Sequence, residues 1–219
     1  RPRVLSVQQW WAGGWRTAAP YRSDLQQTRQ YPLNIQFAGD LSRLEGELAN
    51  AGWRRPAQLT GSSWLHWLGG TDNIEAVPVL PQVHDGQHER LLMILPQRGG
   101  GEALAVRLWA SDVLLIPGRQ ALWVGNVSRL VLSEPLPGVR VPKTGEAFGE
   151  PLGKLARALE PLAWKTQRRA AEPGAKGEPV ILVRQETGDR ARLGSGLRAD
   201  SRSPDPPWTA TGPARISQW

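Results

Sequence analysis

The stretch Leu104–Val131, LAVRLWASDVLLIPGRQALWVGNVSRLV, decides the fold of this chain. From Ala103 to Trp109 the residues alternate, with Leu104, Val106 and Leu108 on one face and Ala105, Arg107 and Trp109 on the other. That is the period of a strand with a buried face. Leu122, Val124, Val127 and Val131 repeat the type, interrupted at Gly125-Asn126, where the reading predicts a bulge. Between them, Val113–Ile116 is a short apolar run closed by Pro117-Gly118, a pair suited to the inner positions of a turn. The expected unit is an antiparallel meander. Trp109 and Trp123 sit near its middle and, with Arg107, are the candidate ligand-binding residues; core packing is the competing role for the two rings.

Working outward, Pro32–Phe37 reads as a strand with Leu33, Ile35 and Phe37 inward and Asn34 and Gln36 outward. Asp40 then suits a helix N-cap, and Leu41, Leu44, Leu48 and Ala51 recur at helical spacing before Gly52. Thr60–Leu68 is expected to form a shorter helix, Val77–Val83 an extended or edge strand, and Arg90–Leu95 a strand. The chain after Ser133 is proline-rich and reads as loop to about Glu150. Pro151–Leu162 follows as a helix striped by Leu152, Leu155, Leu159 and Leu162, with Pro179–Val183 as a last strand. The expected class is α+β: a mostly antiparallel sheet with a central meander and two or three helices packed on one face.

Three regions are expected along the 219 residues: an arm over residues 1–31, the α+β domain over 32–185, and a disordered tail over 186–219 that is rich in Arg, Gly, Ser and Pro. The absence of a starting Met suggests a processed chain or a fragment. No run of about 18 apolar residues is present. There is no cysteine, which removes disulfides and thiolate chemistry. The formal net charge of +7 is unevenly placed: residues 1–31 hold five arginines against one aspartate, whereas residues 32–101 hold five arginines against seven acids. A basic flank suits nucleic acid, an anionic membrane surface or simple solubility. The arm also carries Trp10, Trp11, Trp15 and Tyr21, too aromatic for a solvated linker, so it is expected to pack on the domain, on a lipid headgroup layer or on a neighbouring domain.

No catalytic set stands out. Gly99-Gly100-Gly101 lacks the Lys-Ser/Thr of a phosphate loop. Ser62-Ser63 beside His66 lacks an acid and oxyanion donors. His84 and His88 have the i, i+4 spacing of a metal pair, but Asp85-Gly86 reads as a turn between extended segments, and a third ligand is not evident. Arg54-Arg55 and Arg168-Arg169 with Trp53 and Trp164 give a basic-aromatic mix without a nucleic-acid motif, so no nucleic-acid partner is expected.

Read together, Pro32-Leu33-Asn34, Gly39, Leu41–Leu48, Ala51-Gly52-Trp53, Arg107-Leu108-Trp109 and Leu122-Trp123-Val124-Gly125 resemble the LssY C-terminal domain family, over roughly residues 9–184. The arm WWAGGWRTAAPYRSDLQQ is similar to the segment joining that domain to bacterial multi-pass membrane proteins of the DedA and PAP2-phosphatase type. The PAP2 motifs for lipid phosphate hydrolysis are absent from this sequence. The resemblance therefore implies a non-catalytic accessory domain of a PAP2/DedA-like inner-membrane protein, on the cytoplasmic face, with no cofactor. Its implied partner is the membrane-embedded portion of the same polypeptide or an anionic lipid surface, with Trp10, Trp11, Trp15, Arg16 and Arg22 nearest the membrane. Two other readings stay open: a free-standing metal-dependent hydrolase using His84, His88 and Asp85, and a polysaccharide- or peptide-binding module using exposed tryptophan.

Overall fold

The computed structural model describes residues 2–26, 28–58, 71–145, 148–170 and 177–185. The expected helix over Thr60–Leu68, with His66, lies outside the described residues, as does the expected disordered tail.

The central stretch forms two long strands and not a three-part meander. β8 (Glu102–Ile116) and β9 (Gln120–Leu136) pair antiparallel through the Pro117-Gly118 turn. The register is continuous at Gly125-Asn126, opposite Leu108 and Arg107, and slips instead between Ala110 and Leu114. Ser111 and Asp112 lie in that irregularity, and the Ser111 hydroxyl accepts from the Val113 N–H there. Gly125 is a close-approach glycine: a Cβ there would stand 2.1 Å from the Arg107 carbonyl oxygen.

Around this hairpin the other strands share its two outer edges. β1 (Arg3–Ser6) runs parallel to the far half of β8, and β7 (Leu91–Pro96) antiparallel to its near half. On β9, β4 (Ile35–Ala38) pairs at Trp123–Gly125 and β10 (Val139–Thr144) at Leu130–Leu136. β12 (Pro179–Arg184) continues parallel to β4, and β11 (Ala163–Arg168) closes the edge antiparallel to β12. Two small ladders lie beside the sheet, β2 (Tyr21–Ser23) with β3 (Arg29–Pro32) and β5 (Val83–His84) with β6 (Gln87–His88).

Three α-helices and two short 3₁₀ turns, one of them Ile74–Ala76, complete the described set. α1 (Val7–Ala12) starts in a reciprocal Ser6/Gln9 capping box and is followed by a 3₁₀ turn, Gly14–Thr17. α2 (Leu41–Asn50) is capped by Asp40, whose side chain accepts from the Ser42 N–H at 2.9 Å, and is followed by Gly52 at φ +88°. α3 spans Gly149–Ala158.

The expected α+β class is corrected by this arrangement. Strand outweighs helix, the sheet is mixed, and helices cover both of its faces. On one face α2 and α3 bring Leu44, Leu48, Leu152 and Leu155 onto Phe37, Leu104, Val106, Leu108, Ile181 and Val183. On the other, α1 and the 3₁₀ turn bring Trp10 and Trp15 onto Trp109, Val113, Leu115, Val180 and Leu182. Side-chain alternation identifies a strand without fixing the direction of its partner, and both parallel pairs join segments far apart in sequence. The supposed loop after Ser133 is also strand: β9 runs on and β10 turns back on it, with Pro142 on β10.

Candidate functional site

Chemistry-bearing side chains gather on the face covered by the arm. Along β8 that face reads Ala103, Ala105, Arg107, Trp109, so one charge falls between two apolar clusters. Arg107 is 2 % exposed, and its guanidinium donates to Glu89 at 2.6 Å. Glu89 also accepts from the Gln82 N–H. Burial pulls the Arg107 pKa below its ordinary value, opposed by the Glu89 charge and hydrogen bond. Trp109 is fully buried and donates its indole N–H to the Gln82 carbonyl. Trp123 points to the opposite face, where it packs with the α2 side of the core and donates to the Gly39 carbonyl at 3.0 Å. The two tryptophans therefore make no common stacking surface.

Neighbouring polar groups on the same face are spent on the backbone and on the Trp10 indole. Asn34 exchanges two hydrogen bonds with Val127, donating to its carbonyl and accepting from its N–H, which extends the β4–β9 ladder through a side chain. Asn126 donates to the Pro32 carbonyl at 2.7 Å. Gln36 is fully buried: its Oε1 accepts from the Trp10 indole at 2.8 Å and its amide donates to the Trp15 carbonyl at 2.9 Å. Asn34 and Gln36, expected to face solvent, are both buried, Gln36 beneath Trp10 and Trp15 of the arm and Asn34 against Val127. Glu89 and Gln82 are the residues the sequence reading missed, and the only signal for them is that a strand arginine pointing inward needs a carboxylate.

The two histidines part company. In the β5–β6 hairpin His84 faces Gln87 and His88 faces Val83, so their side chains lie on opposite faces. His84 is buried edge-on against Trp109, with ring centroids 5.8 Å apart, whereas His88 is exposed. The Ser23 N–H donates to His84 Nδ1, so the neutral ring carries its proton on Nε2. Burial lowers the His84 pKa, Arg22 lowers it further and Asp85 opposes. Among the described residues no three His, Asp or Glu side chains stand close enough to hold a metal ion. A cleft of about 280 Å³ lies beside His84, lined also by Ser23, Asp85, Ser111, Asp112 and Arg3; its Asp112 carboxylate is held by both arms of the Arg3 guanidinium.

The residues expected nearest a membrane are mostly interior. Trp10 and Trp15 are buried, Trp11 is half-buried, and Arg22 is 8 % exposed with its guanidinium donating to the Val83 carbonyl. Arg16 alone of the five is exposed, lying over the Trp15 ring. The arm packs on its own domain, and β1 is part of the sheet.

The profile of the LssY C-terminus family matches residues 15–131, just over half of the chain. The chain belongs to the LssY C-terminal family. The matched span of this LssY C-terminal domain runs from the 3₁₀ turn into β9 and takes in Arg22, His84, Glu89 and Arg107. It ends before β10, α3, β11 and β12, which complete the sheet. Neither a curated protein nor a solved structure matches it. No helix among the described residues is long and apolar enough to cross a membrane.

Proposed function

We propose that this LssY C-terminal domain is a non-catalytic accessory domain carried by a bacterial inner-membrane protein of the PAP2-phosphatase or DedA-like type. The observation that carries the reading is the use made of the polar groups on the arm-covered face. Arg107 and Glu89 neutralise one another in the interior, Asn34, Gln36 and Asn126 hold strands and arm together, and the His84 Nδ1 is taken by a backbone N–H. These are scaffold contacts, and a reacting atom needs a base or acid free to approach it. The likeness of the chain to the domain that follows such membrane proteins supports the same reading.

The test is phosphate release from phosphatidic acid and from a soluble phosphomonoester by the purified chain, with and without divalent cations. The reading predicts release at the buffer rate. Release above that rate that is abolished by Glu89→Gln or His84→Gln in folded protein contradicts it.

A further inference from the structure

The cations of the described residues fall into two populations. Away from the β11–β12 edge many are matched: Arg3 with Asp112, Arg43 with Glu47, Arg54 with Glu75, Arg55 with Glu45, Arg129 with Glu102 and Glu150, and Arg140 with Asp72 and Glu134. Where the arm meets the β11–β12 edge the pattern inverts. Arg16, Lys165, Arg169 and Arg184 stand together there, and none makes an ion pair with a described carboxylate.

Aromatic rings and carbonyls hold these four in place instead. The Lys165 ammonium and the Arg184 guanidinium lie 4.5 and 4.6 Å from the centre of the Trp11 ring. Arg16 and Arg169 lie 4.7 and 5.4 Å from that of Trp15. Lys165 also donates to the Trp11 carbonyl at 2.6 Å, and Arg169 to the carbonyls of Ala18 and Ala19. Rings and carbonyls fix a cation without cancelling its charge. The Nε atoms of Arg169 and Arg184 are buried without a hydrogen-bond partner, and four like charges at one edge raise the local potential in water. Such a face is ordered in advance for an anionic partner, which lowers the entropy lost on binding.

We propose that the Arg16–Lys165–Arg169–Arg184 face docks on the phosphate layer of an anionic membrane. This deepens the accessory-domain reading and rests on it for the nearness of a bilayer. The rings favour lipid over nucleic acid. Trp11 and Trp15 are already occupied by cations and by the core, so they offer no platform for bases. Trp164, 38 % exposed, points to the other face of the edge strand from Lys165 and takes no part in this surface. The contact surface is thus the cationic edge that the arm and β11–β12 build together, and the buried Trp10 and Trp15 are not its anchors.

The experiment is co-sedimentation of the full chain with phosphatidylcholine vesicles and with mixed phosphatidylcholine/phosphatidylglycerol vesicles over a salt series. Binding is expected only to the mixed vesicles and weakens as salt rises. Each charge removed costs about five-fold in partitioning, so Arg16→Gln/Lys165→Gln loses about 25-fold. The equally discharged Arg43→Gln/Arg55→Gln, on α2 and just beyond it, stays within about two-fold of the parent. Lys165 also braces the arm, so Arg16→Glu, a reversal at an exposed position, provides a second variant with the same expected loss. Equal loss in the α2-side variant, no preference for anionic vesicles, or tighter binding to an RNA oligonucleotide overturns the assignment. None of these outcomes touches the phosphate-release test, so the two readings fail separately.

Discussion

The indole N–H of Trp10 donates to the side-chain oxygen of Gln36 at 2.8 Å, and both residues are fully buried. A residue of the N-terminal arm thus completes the hydrogen bonding of a central strand, and the same Gln36 amide holds the Trp15 carbonyl. Truncating a buried Trp typically costs roughly 3–5 kcal/mol, against a total stability of about 5–15 kcal/mol for a domain. Deleting residues 1–31 removes Trp10 and Trp15 together. The shortened chain is expected to lose its cooperative thermal transition and to show red-shifted tryptophan emission. Gln36→Leu, which orphans the Trp10 N–H and the Trp15 carbonyl, is expected to fold with a loss of about 1–3 kcal/mol for each group left unpaired. Urea unfolding of the two variants measures both effects.

Gly125 and Gly46 make a matched pair of opposite sign. A Cβ at Gly125 meets the Arg107 carbonyl oxygen at 2.1 Å and a Leu108 methyl at 2.4 Å, so Gly125→Ala has to push β8 away from β9. A loss of about 3 kcal/mol or more is expected, at the upper end of overpacking. Nothing lies within 4 Å of a Cβ at Gly46, inside α2. Gly46→Ala is expected to gain about 0.5–1 kcal/mol through helix propensity. Chemical denaturation midpoints of the two variants show whether strand proximity or backbone freedom sets each position.

His84 gives stability a pH dependence whose sign follows from burial. Its pKa is lowered in the folded protein, by desolvation first and by Arg22, with Asp85 opposing. Below its ordinary value, about 6.5, the unfolded chain therefore binds more protons than the folded one. The contribution is full above that value and is lost as pH falls through it towards the folded pKa. Thermal midpoints between pH 8 and pH 5 should fall more steeply for the parent than for His84→Gln. Parallel profiles would show that the ring titrates freely.

How much of this was legible in the sequence varies by element. The α2 helix was, with Asp40 capping it and Gly52 ending it, because both signals are local. So were the strand character of Leu104–Leu108 and the turn between the histidines. The second face of the sheet was not. Gln36, Asn34 and Arg107 are polar residues at alternating positions, and alternation alone assigns them to solvent. Gln36 is interior because an arm rich in tryptophan lies over it, Arg107 because Glu89, just after the β5–β6 hairpin, pairs with it, and Asn34 because it bonds across to Val127, all contacts between segments distant in sequence. The cationic edge was hidden for the same reason: Arg16 comes from the arm and Lys165, Arg169 and Arg184 from the end of the domain. Composition showed their excess charge but not their meeting.

The most direct test of a scaffold role for the polar centre is a double-mutant cycle on Arg107 and Glu89, read by urea unfolding. A buried ion pair is costly to break and cheap to replace. Arg107→Met and Glu89→Leu are each expected to lose about 3–5 kcal/mol by stranding the partner's charge, while the double variant recovers most of that loss. Additive losses in the double variant would contradict the account, because they would mean that the two side chains serve separate purposes in the interior of this LssY C-terminal domain.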